Sequence, residues 1–116
     1  MRFLCLAYGD EKGWNSISPE EQRKALAQDE VIRNSGKGQL MSAVRPEVTT
    51  VRNWSGTPEV SDAPGISGGL ALAGFSIIEA ESIEEVVNLA AATPCARARG
   101  YIEIRPFWDL AGVDDA

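Results

Sequence analysis

The sequence contains no histidine, and only two of its 116 residues are cysteine. Without imidazole side chains, the chain has no Ser/His/Asp or Cys/His catalytic arrangement and no histidine-based zinc site. Cys5 and Cys95 are too few for a disulfide framework, and we expect both to be reduced. Acid or base chemistry would therefore fall to a carboxylate, a tyrosine or a lysine.

Positive charge and long apolar runs are also scarce. The chain carries 11 Lys and Arg residues against 17 Asp and Glu residues, and its formal charge of -6 repels phosphate backbones and anionic lipids. No apolar run approaches the roughly 20 residues that span a bilayer, and residues 1–8 lack the length of a signal peptide. We therefore expect a cytoplasmic protein with no nucleic-acid partner, no membrane partner, no metal and no cofactor.

The length and the local patterns predict one domain over residues 1–110, followed by a short acidic tail at 111–116. Ser18 and Ser82 are each followed by a glutamate three residues on, which is typical of a helix start. The predicted elements, in chain order, are a strand Arg2–Tyr8, a helix from Pro19 to about Ser35, strands Gln39–Val44 and Val48–Trp54, a return arm near Glu59–Val60, a strand Leu70–Glu79, a helix from Ser82 that ends near Pro94, and a strand Tyr101–Arg105.

This order of elements predicts a ferredoxin-like α+β sandwich, a split βαβ fold with an added β-hairpin arm. Two helices cover only one face of such a sheet, yet the first and fourth strands are apolar on both faces. The second face needs a cover, and the same face of another copy supplies it most simply. We therefore predict a homodimer that closes into a dimeric α+β barrel.

Several short motifs, in order along the chain, carry a resemblance to a known family. They are Tyr8-Gly9-Asp10-Glu11, Ser18-Pro19-Glu20-Glu21, Thr49-Thr50-Val51-Arg52, Ser61-Asp62-Ala63-Pro64 and Ile102-Glu103-Ile104-Arg105-Pro106-Phe107. The chain resembles the YCII-related group of the dimeric α+β barrel superfamily, and within it the DGPF subgroup. The resemblance implies a homodimer with a cleft near the Asp62 loop, and a family whose biochemical roles are mostly unassigned.

Two departures from the family pattern affect the inherited site. The wider group has a histidine and an aspartate as its proposed catalytic dyad, and this chain has no histidine. In the signature sequence Asp-Gly-Pro-Phe, Ala63 replaces the glycine and Gly65 replaces the phenylalanine. Both departures indicate a degenerate site.

The first candidate site residues follow the signature and the end of the first strand. Asp62, beside Ser61, is a candidate general base or ligand-binding group, and the alternative is that its carboxylate caps its own turn. Tyr8 is a candidate hydrogen-bond donor, and Asp10 a candidate ligand-binding carboxylate, at a strand end where sites are common. The alternative for both is an ordinary polar strand exit.

Asp29 and Arg52 are further ligand-binding candidates. Helical spacing places Asp29 on the same flank as Leu26 and Ile32, so it is expected to face inward; an ion pair with Arg33, four residues on, is the simpler role. Arg52 offers an anion-binding guanidinium, whereas pairing with an acidic neighbour across the strands is the alternative.

Two functions therefore remain open at the level of the sequence. The first is a homodimeric module that binds a small organic molecule or acts as an accessory protein, with a degenerate site. The second is a cofactor-free enzyme that acts on a small organic substrate with Asp62 as general base. An exposed Asp62 would favour the module, whereas a carboxylate of raised pKa inside a closed pocket would favour the enzyme.

Overall fold

The structure is a computed structural model that describes residues 1–66 and 68–108. Within these residues it contains β1 (Arg2–Tyr8), α1 (Glu11–Trp14), α2 (Pro19–Asn34), β2 (Gly38–Ala43), β3 (Thr50–Arg52), β4 (Glu59–Ser61), β5 (Leu72–Glu79), α3 (Ile83–Ala90), α4 (Pro94–Arg97) and β6 (Tyr101–Pro106). The predicted acidic tail at 111–116 lies outside the described residues.

Four strands form the main sheet, in the order β2-β5-β1-β6, and each neighbouring pair is antiparallel. Cys5 of β1 lies opposite Ser76 of β5 on one side and Ile104 of β6 on the other. With α2 connecting β1 to β2 and α3 connecting β5 towards β6, this order is that of a ferredoxin-like α+β fold, as predicted.

The strands β3 and β4 form a separate two-stranded sheet, which is the predicted hairpin arm. Thr50 lies opposite Ser61, and Arg52 lies opposite Glu59. Each strand of the arm has three residues, so the predicted strand Val48–Trp54 was too long. Val51 pairs with Val60 but is 64% exposed, so the arm has little surface to pack on and its pairing stays short.

Both long helices begin at the predicted serines. The Ser18 hydroxyl accepts a hydrogen bond from the Glu21 amide at 3.1 Å, and the Ser82 hydroxyl accepts one from the Glu85 amide at 3.2 Å. Gly36, at a φ of +77°, follows α2, and glycine in this left-handed conformation commonly ends a helix. These caps satisfy amides that the first turn of a helix leaves without a partner.

Two short helices, α1 and α4, were not predicted. Asp10 begins α1 by accepting a hydrogen bond from the Gly13 amide at 2.8 Å. Pro94, which we expected only to end a helix, begins α4 instead. Proline suits the first helical position because its missing N–H has no helical partner there.

The core lies between the sheet and the two long helices. Phe3, Ile32, Ile78 and Val86 are almost completely buried in it, so α2 and α3 cover the same face of the sheet. On α2 the buried positions are Ala25 and Ile32, whereas Leu26 is 52% exposed. The prediction that Leu26 belongs to the inner flank of α2 was therefore wrong by one position.

The other face of the main sheet carries apolar side chains that no described helix covers. Successive residues of a strand point to opposite faces, so Leu4 and Leu6 point away from buried Phe3. Their cross-strand partners on that face are Ile77 and Phe75. These four half-buried residues, with Tyr8 beyond them, form what we call the open sheet face.

Candidate functional site

A cavity of about 290 Å³ lies between the helix-covered face of the sheet, α2 and the segment that contains α4. Most of its wall is apolar. Its polar or titratable lining residues are Cys5, Asp29, Arg33, Ser42, Ser76, Thr93 and Cys95. A mostly apolar concave wall with a few polar groups, and a volume close to the roughly 300 Å³ at which ligand pockets begin, is typical of a small-molecule site.

Asp29 is the acidic group of this cavity. It is half-buried on α2, and burial raises the pKa of its carboxyl above its ordinary value. The charge of Arg33 opposes that rise, and the charge of Glu30 adds to it. The sequence prediction that Asp29 faces inward is therefore confirmed.

The predicted ion pair between Asp29 and Arg33 does not form. The guanidinium of Arg33 instead contacts the carboxylate of Glu30, three residues earlier on α2. Within the described part of the chain, the Asp29 carboxylate accepts no hydrogen bond and has no salt-bridge partner. Asp29 is therefore available to a molecule that enters the cavity.

Two thiols line the same cavity, and both cysteines are free. Burial, and then the charge of Asp29, raise the pKa of the Cys95 thiol. Burial raises the pKa of the Cys5 thiol, although a hydrogen bond with Ser76 partly offsets it. Because both pKa values lie above the ordinary value, these thiols are protonated at neutral pH and are neutral, weakly polar parts of the wall.

Tyr8 does not line the cavity. Its ring stacks on Tyr101 with centroids 5.0 Å apart, at the end of the open sheet face. Burial, and then the charge of Glu103, raise the pKa of the Tyr8 phenol, so this group is a hydrogen-bond donor at neutral pH. Since Asp62 is likewise absent from the cavity wall, the structure does not bring the two predicted catalytic residues together there.

Asp62, Ser61 and Arg52 lie on the hairpin arm and its following loop. Asp62 is exposed, and no residue of the described chain pairs with its carboxylate. The turn is instead closed by hydroxyls, because Thr50 donates to the Ala63 carbonyl at 2.6 Å and Ser61 donates to it at 3.5 Å. The alternative in which Asp62 caps its own turn is therefore not observed.

Arg52 has no salt-bridge partner among the described residues, although Glu59 lies opposite it in the register. Its guanidinium lies over the Trp54 ring, 5.8 Å from the centroid, and donates to the Gly65 carbonyl at 3.5 Å. Arg52 therefore holds the loop after Asp62 near the arm. The expected pairing with an acid across the strands does not form there.

Asp10, Arg97 and Arg105 have structural partners. Asp10 caps α1, as described above. Arg97 pairs with Glu21 at 3.2 Å, and Arg105 pairs with Glu103 of its own strand at 3.5 Å. Surface ion pairs therefore engage these two arginines.

The cavity itself was not apparent from the sequence. No sequence pattern marked Ser76 or Cys95 as a site residue, and they reach the same wall only through the register of β5 on β1 and the unpredicted helix α4. Strand alternation was the one usable signal, since it places Ser76 on the same face as buried Ile78.

Residues 1–66 and 68–108 contain neither a membrane-spanning helix nor a cluster of metal ligands. No helix there combines the length and hydropathy that crossing a membrane requires. No group of three or more Cys, Asp or Glu side chains there is arranged to hold a metal ion.

The antiparallel sheet order, the two helices on one face and the cavity beneath them define an α+β protein of the ferredoxin-like class. The chain belongs to the YCII-related domain family, whose sequence model matches residues 1–111. This result confirms the family resemblance drawn from the motifs. No curated protein sequence gives a significant match.

A solved structure shares this fold. It is the 5-chloro-2-hydroxyhydroquinone dehydrochlorinase TftG from Burkholderia phenoliruptrix AC1100, in complex with 2,5-dihydroxybenzoquinone. The match has a TM-score of 0.53 and 18% sequence identity, and it covers 93% of this chain and 94% of that one. At this identity the likeness establishes the fold.

Proposed function

We propose that this protein binds a small organic molecule, of about one substituted ring in size, in the cavity beneath α2. The observation that carries the proposal is a mostly apolar cavity of about 290 Å³ with one unpaired, half-buried carboxylate, that of Asp29. Apolar walls bind the body of a ligand through the hydrophobic effect, and a single polar group fixes its orientation.

The solved structure of TftG supports the size of this ligand. It holds 2,5-dihydroxybenzoquinone, a single-ring compound, on a chain of the same fold and similar length. Membership of the YCII-related domain family gives no substrate by itself. The proposal therefore takes from the comparison a size class, and the chemistry of recognition comes from the residues of this chain.

The geometry favours binding over catalysis by Asp62. That residue is exposed on the arm and does not line the cavity, so its surroundings do not prepare it as a base. A general base needs a substrate held within hydrogen-bond reach, and a cavity lined by other residues does not supply one. The non-catalytic module therefore has the stronger support of the two functions drawn from the sequence.

The binding unit that we propose is a homodimer formed through the open sheet face. Leu4, Leu6, Phe75 and Ile77 lie together on that face, opposite the helices. A contiguous apolar sheet face is a favourable surface for an isologous two-fold contact, because each copy then covers the other. The cavity lies on the opposite side of the sheet and is left open by this arrangement.

A thermal-shift screen with a pool of small metabolites tests the binding function. Ala7 lines the cavity, so Ala7→Leu partly fills it, whereas Ala91→Leu adds the same atoms at an exposed position outside it. The expected result is a compound that stabilises the wild type and Ala91→Leu but not Ala7→Leu. A compound that stabilises all three proteins equally, but fails to stabilise Asp62→Ala, would place the site on the arm and contradict the proposal.

A further inference from the structure

The polar groups of the cavity differ in whether they are already engaged. The Thr93 hydroxyl donates to the Ala90 carbonyl at 2.6 Å, and the Ser42 hydroxyl donates to the Ala43 carbonyl at 2.8 Å. The Ser76 side chain forms a hydrogen bond with the Cys5 thiol. These groups are satisfied within the chain, which leaves the Asp29 carboxylate as the polar group that a ligand is most able to engage.

The charged side chains that line the cavity are those of Asp29 and Arg33. The titratable groups that line the cavity are Cys5, Asp29, Arg33 and Cys95, and both thiols are neutral at neutral pH. The guanidinium of Arg33 contacts the carboxylate of Glu30, which does not line the cavity. Arg33 therefore already has a carboxylate partner, whereas the Asp29 carboxylate has none among the described residues.

A half-buried carboxylate without a partner is costly, because burial removes water that nothing in the protein replaces. A ligand cation would restore the lost interaction through a charge-assisted hydrogen bond. An anionic ligand of the same shape would meet the repulsion of the half-buried Asp29 carboxylate. A neutral hydroxyl would gain only an ordinary hydrogen bond.

We infer that the cavity selects a small apolar molecule that carries one cationic amine, which the Asp29 carboxylate binds, over molecules of the same shape that end in a hydroxyl or a carboxylate. This inference rests on the proposed binding function and adds the chemical class of the ligand. It also assigns to Asp29 the role of the ligand-recognising residue. The Asp62 loop has no part in this selection.

Three probes of matched shape test it: benzylamine, benzyl alcohol and benzoate. Each is titrated at neutral pH into the full-length wild type, Asp29→Asn and Glu84→Gln, with chemical shifts of the backbone amides as the readout. Glu84 is exposed on α3 and does not line the cavity, so its variant changes the net charge by the same amount as Asp29→Asn. The amides of the cavity wall report whether a probe enters.

The wild type and Glu84→Gln are expected to bind benzylamine about tenfold more tightly than benzyl alcohol, the factor that a charge-assisted hydrogen bond supplies. Benzoate is expected to bind most weakly. Asp29→Asn is expected to lose the preference for the amine. In the wild type the preference should fall as the pH is lowered through the pKa of Asp29, because the carboxylate then becomes neutral.

A failure of the amine selectivity and a failure of the binding function would give different results. Equal binding of the three probes at the cavity amides would overturn the selectivity and leave the binding function standing. Retention of the amine preference in Asp29→Asn would assign the recognition to another residue and overturn the inference. If no probe shifts the cavity amides of the wild type, the inference and the proposed function both fail.

Discussion

Asp29 of α2 and Cys95 of α4 share one cavity wall, and the charge of Asp29 adds to the effect of burial in raising the pKa of the Cys95 thiol. The two residues belong to different helices, so only the folded chain brings them together. The cavity therefore holds a carboxylate of raised pKa within a mostly apolar wall. Such groups mark functional sites more often than ordinary surface carboxylates do.

The pKa of Asp29 predicts a pH dependence of stability. Because its pKa is raised in the folded state, the folded chain binds the proton more tightly than the unfolded chain does. The stability that this tighter proton binding contributes is fully present below the pKa of the unfolded state. It is lost as the pH rises through the pKa of the folded state. Asp29→Asn should therefore be more stable than the wild type at neutral pH, and this advantage should shrink as the pH falls.

Urea unfolding of both proteins at one concentration, over a series of pH values, measures this difference. Glu84→Gln is the control, and its difference from the wild type should be smaller at neutral pH than that of Asp29→Asn. An Asp29→Asn variant whose advantage grows towards low pH would show that the folded state favours the charged carboxylate, against the assignment.

A charged residue on the open sheet face should weaken the proposed dimer. Phe75→Asp or Ile77→Asp would place a carboxylate in the proposed dimer contact, where its desolvation is unfavourable, so we expect a shift towards monomer. Val87→Asp introduces the same group at a position on α3 that is 48% exposed, and it should leave the mass unchanged.

Light scattering at micromolar concentration gives the mass, and circular dichroism verifies that each variant is folded. The wild type is expected to have the mass of a dimer. A monomeric wild type would refute the dimer, and a folded Phe75→Asp variant that stays dimeric would refute the assignment of this face.

Arg99 has a strained backbone conformation that should affect stability. Its φ of +64° lies in the left-handed region, which favours glycine, and its guanidinium donates to the Ser16 hydroxyl at 3.1 Å. Arg99→Ala loses that hydrogen bond and keeps the strain, whereas Arg99→Gly loses the bond and relieves the strain. We expect the glycine variant to be more stable than the alanine variant by about 1 kcal/mol, measured by thermal unfolding. The opposite order would show that the strain is absent.

Gly100 and Gly69 form a matched pair for steric tests. A Cβ at Gly100 would lie 2.1 Å from the Tyr8 carbonyl oxygen, whereas a Cβ at Gly69 would meet nothing within 4 Å. Gly100→Ala should cost about 2 kcal/mol or more, because backbone must move. Gly69→Ala should change stability by less than about 0.5 kcal/mol. Equal midpoints of chemical unfolding for the two variants would contradict the close packing of β1 on the α4 turn.

The sequence predicted those parts of the fold that depend on local chemistry. The serine caps at Ser18 and Ser82 and the apolar run of β1 are local signals, and the structure confirms them. The arm was predicted to be longer than it is, because β propensity does not reveal whether a strand has a surface to pack on. The helix α4 was missed because proline was taken as a stop rather than as a first helical residue.

The candidate site was predicted only in part. Helical spacing correctly placed Asp29 on the inner side of α2, but local spacing did not determine that Arg33 would contact Glu30 instead. The remaining wall depends on strand register and on Cys95, which are set by tertiary packing. The motif-derived candidates Ser61 and Asp62 lie on the arm, and their role stays a prediction.

The most direct test of the account is a map of amide chemical shifts during titration of the wild type with benzyl alcohol, a neutral one-ring probe. We expect the largest changes at residues that line the cavity, such as Ile32, Ser76 and Cys95. Changes confined to Arg52, Ser61 and Asp62 would place the ligand at the arm, and would contradict the claim that the cavity beneath α2 is the binding site.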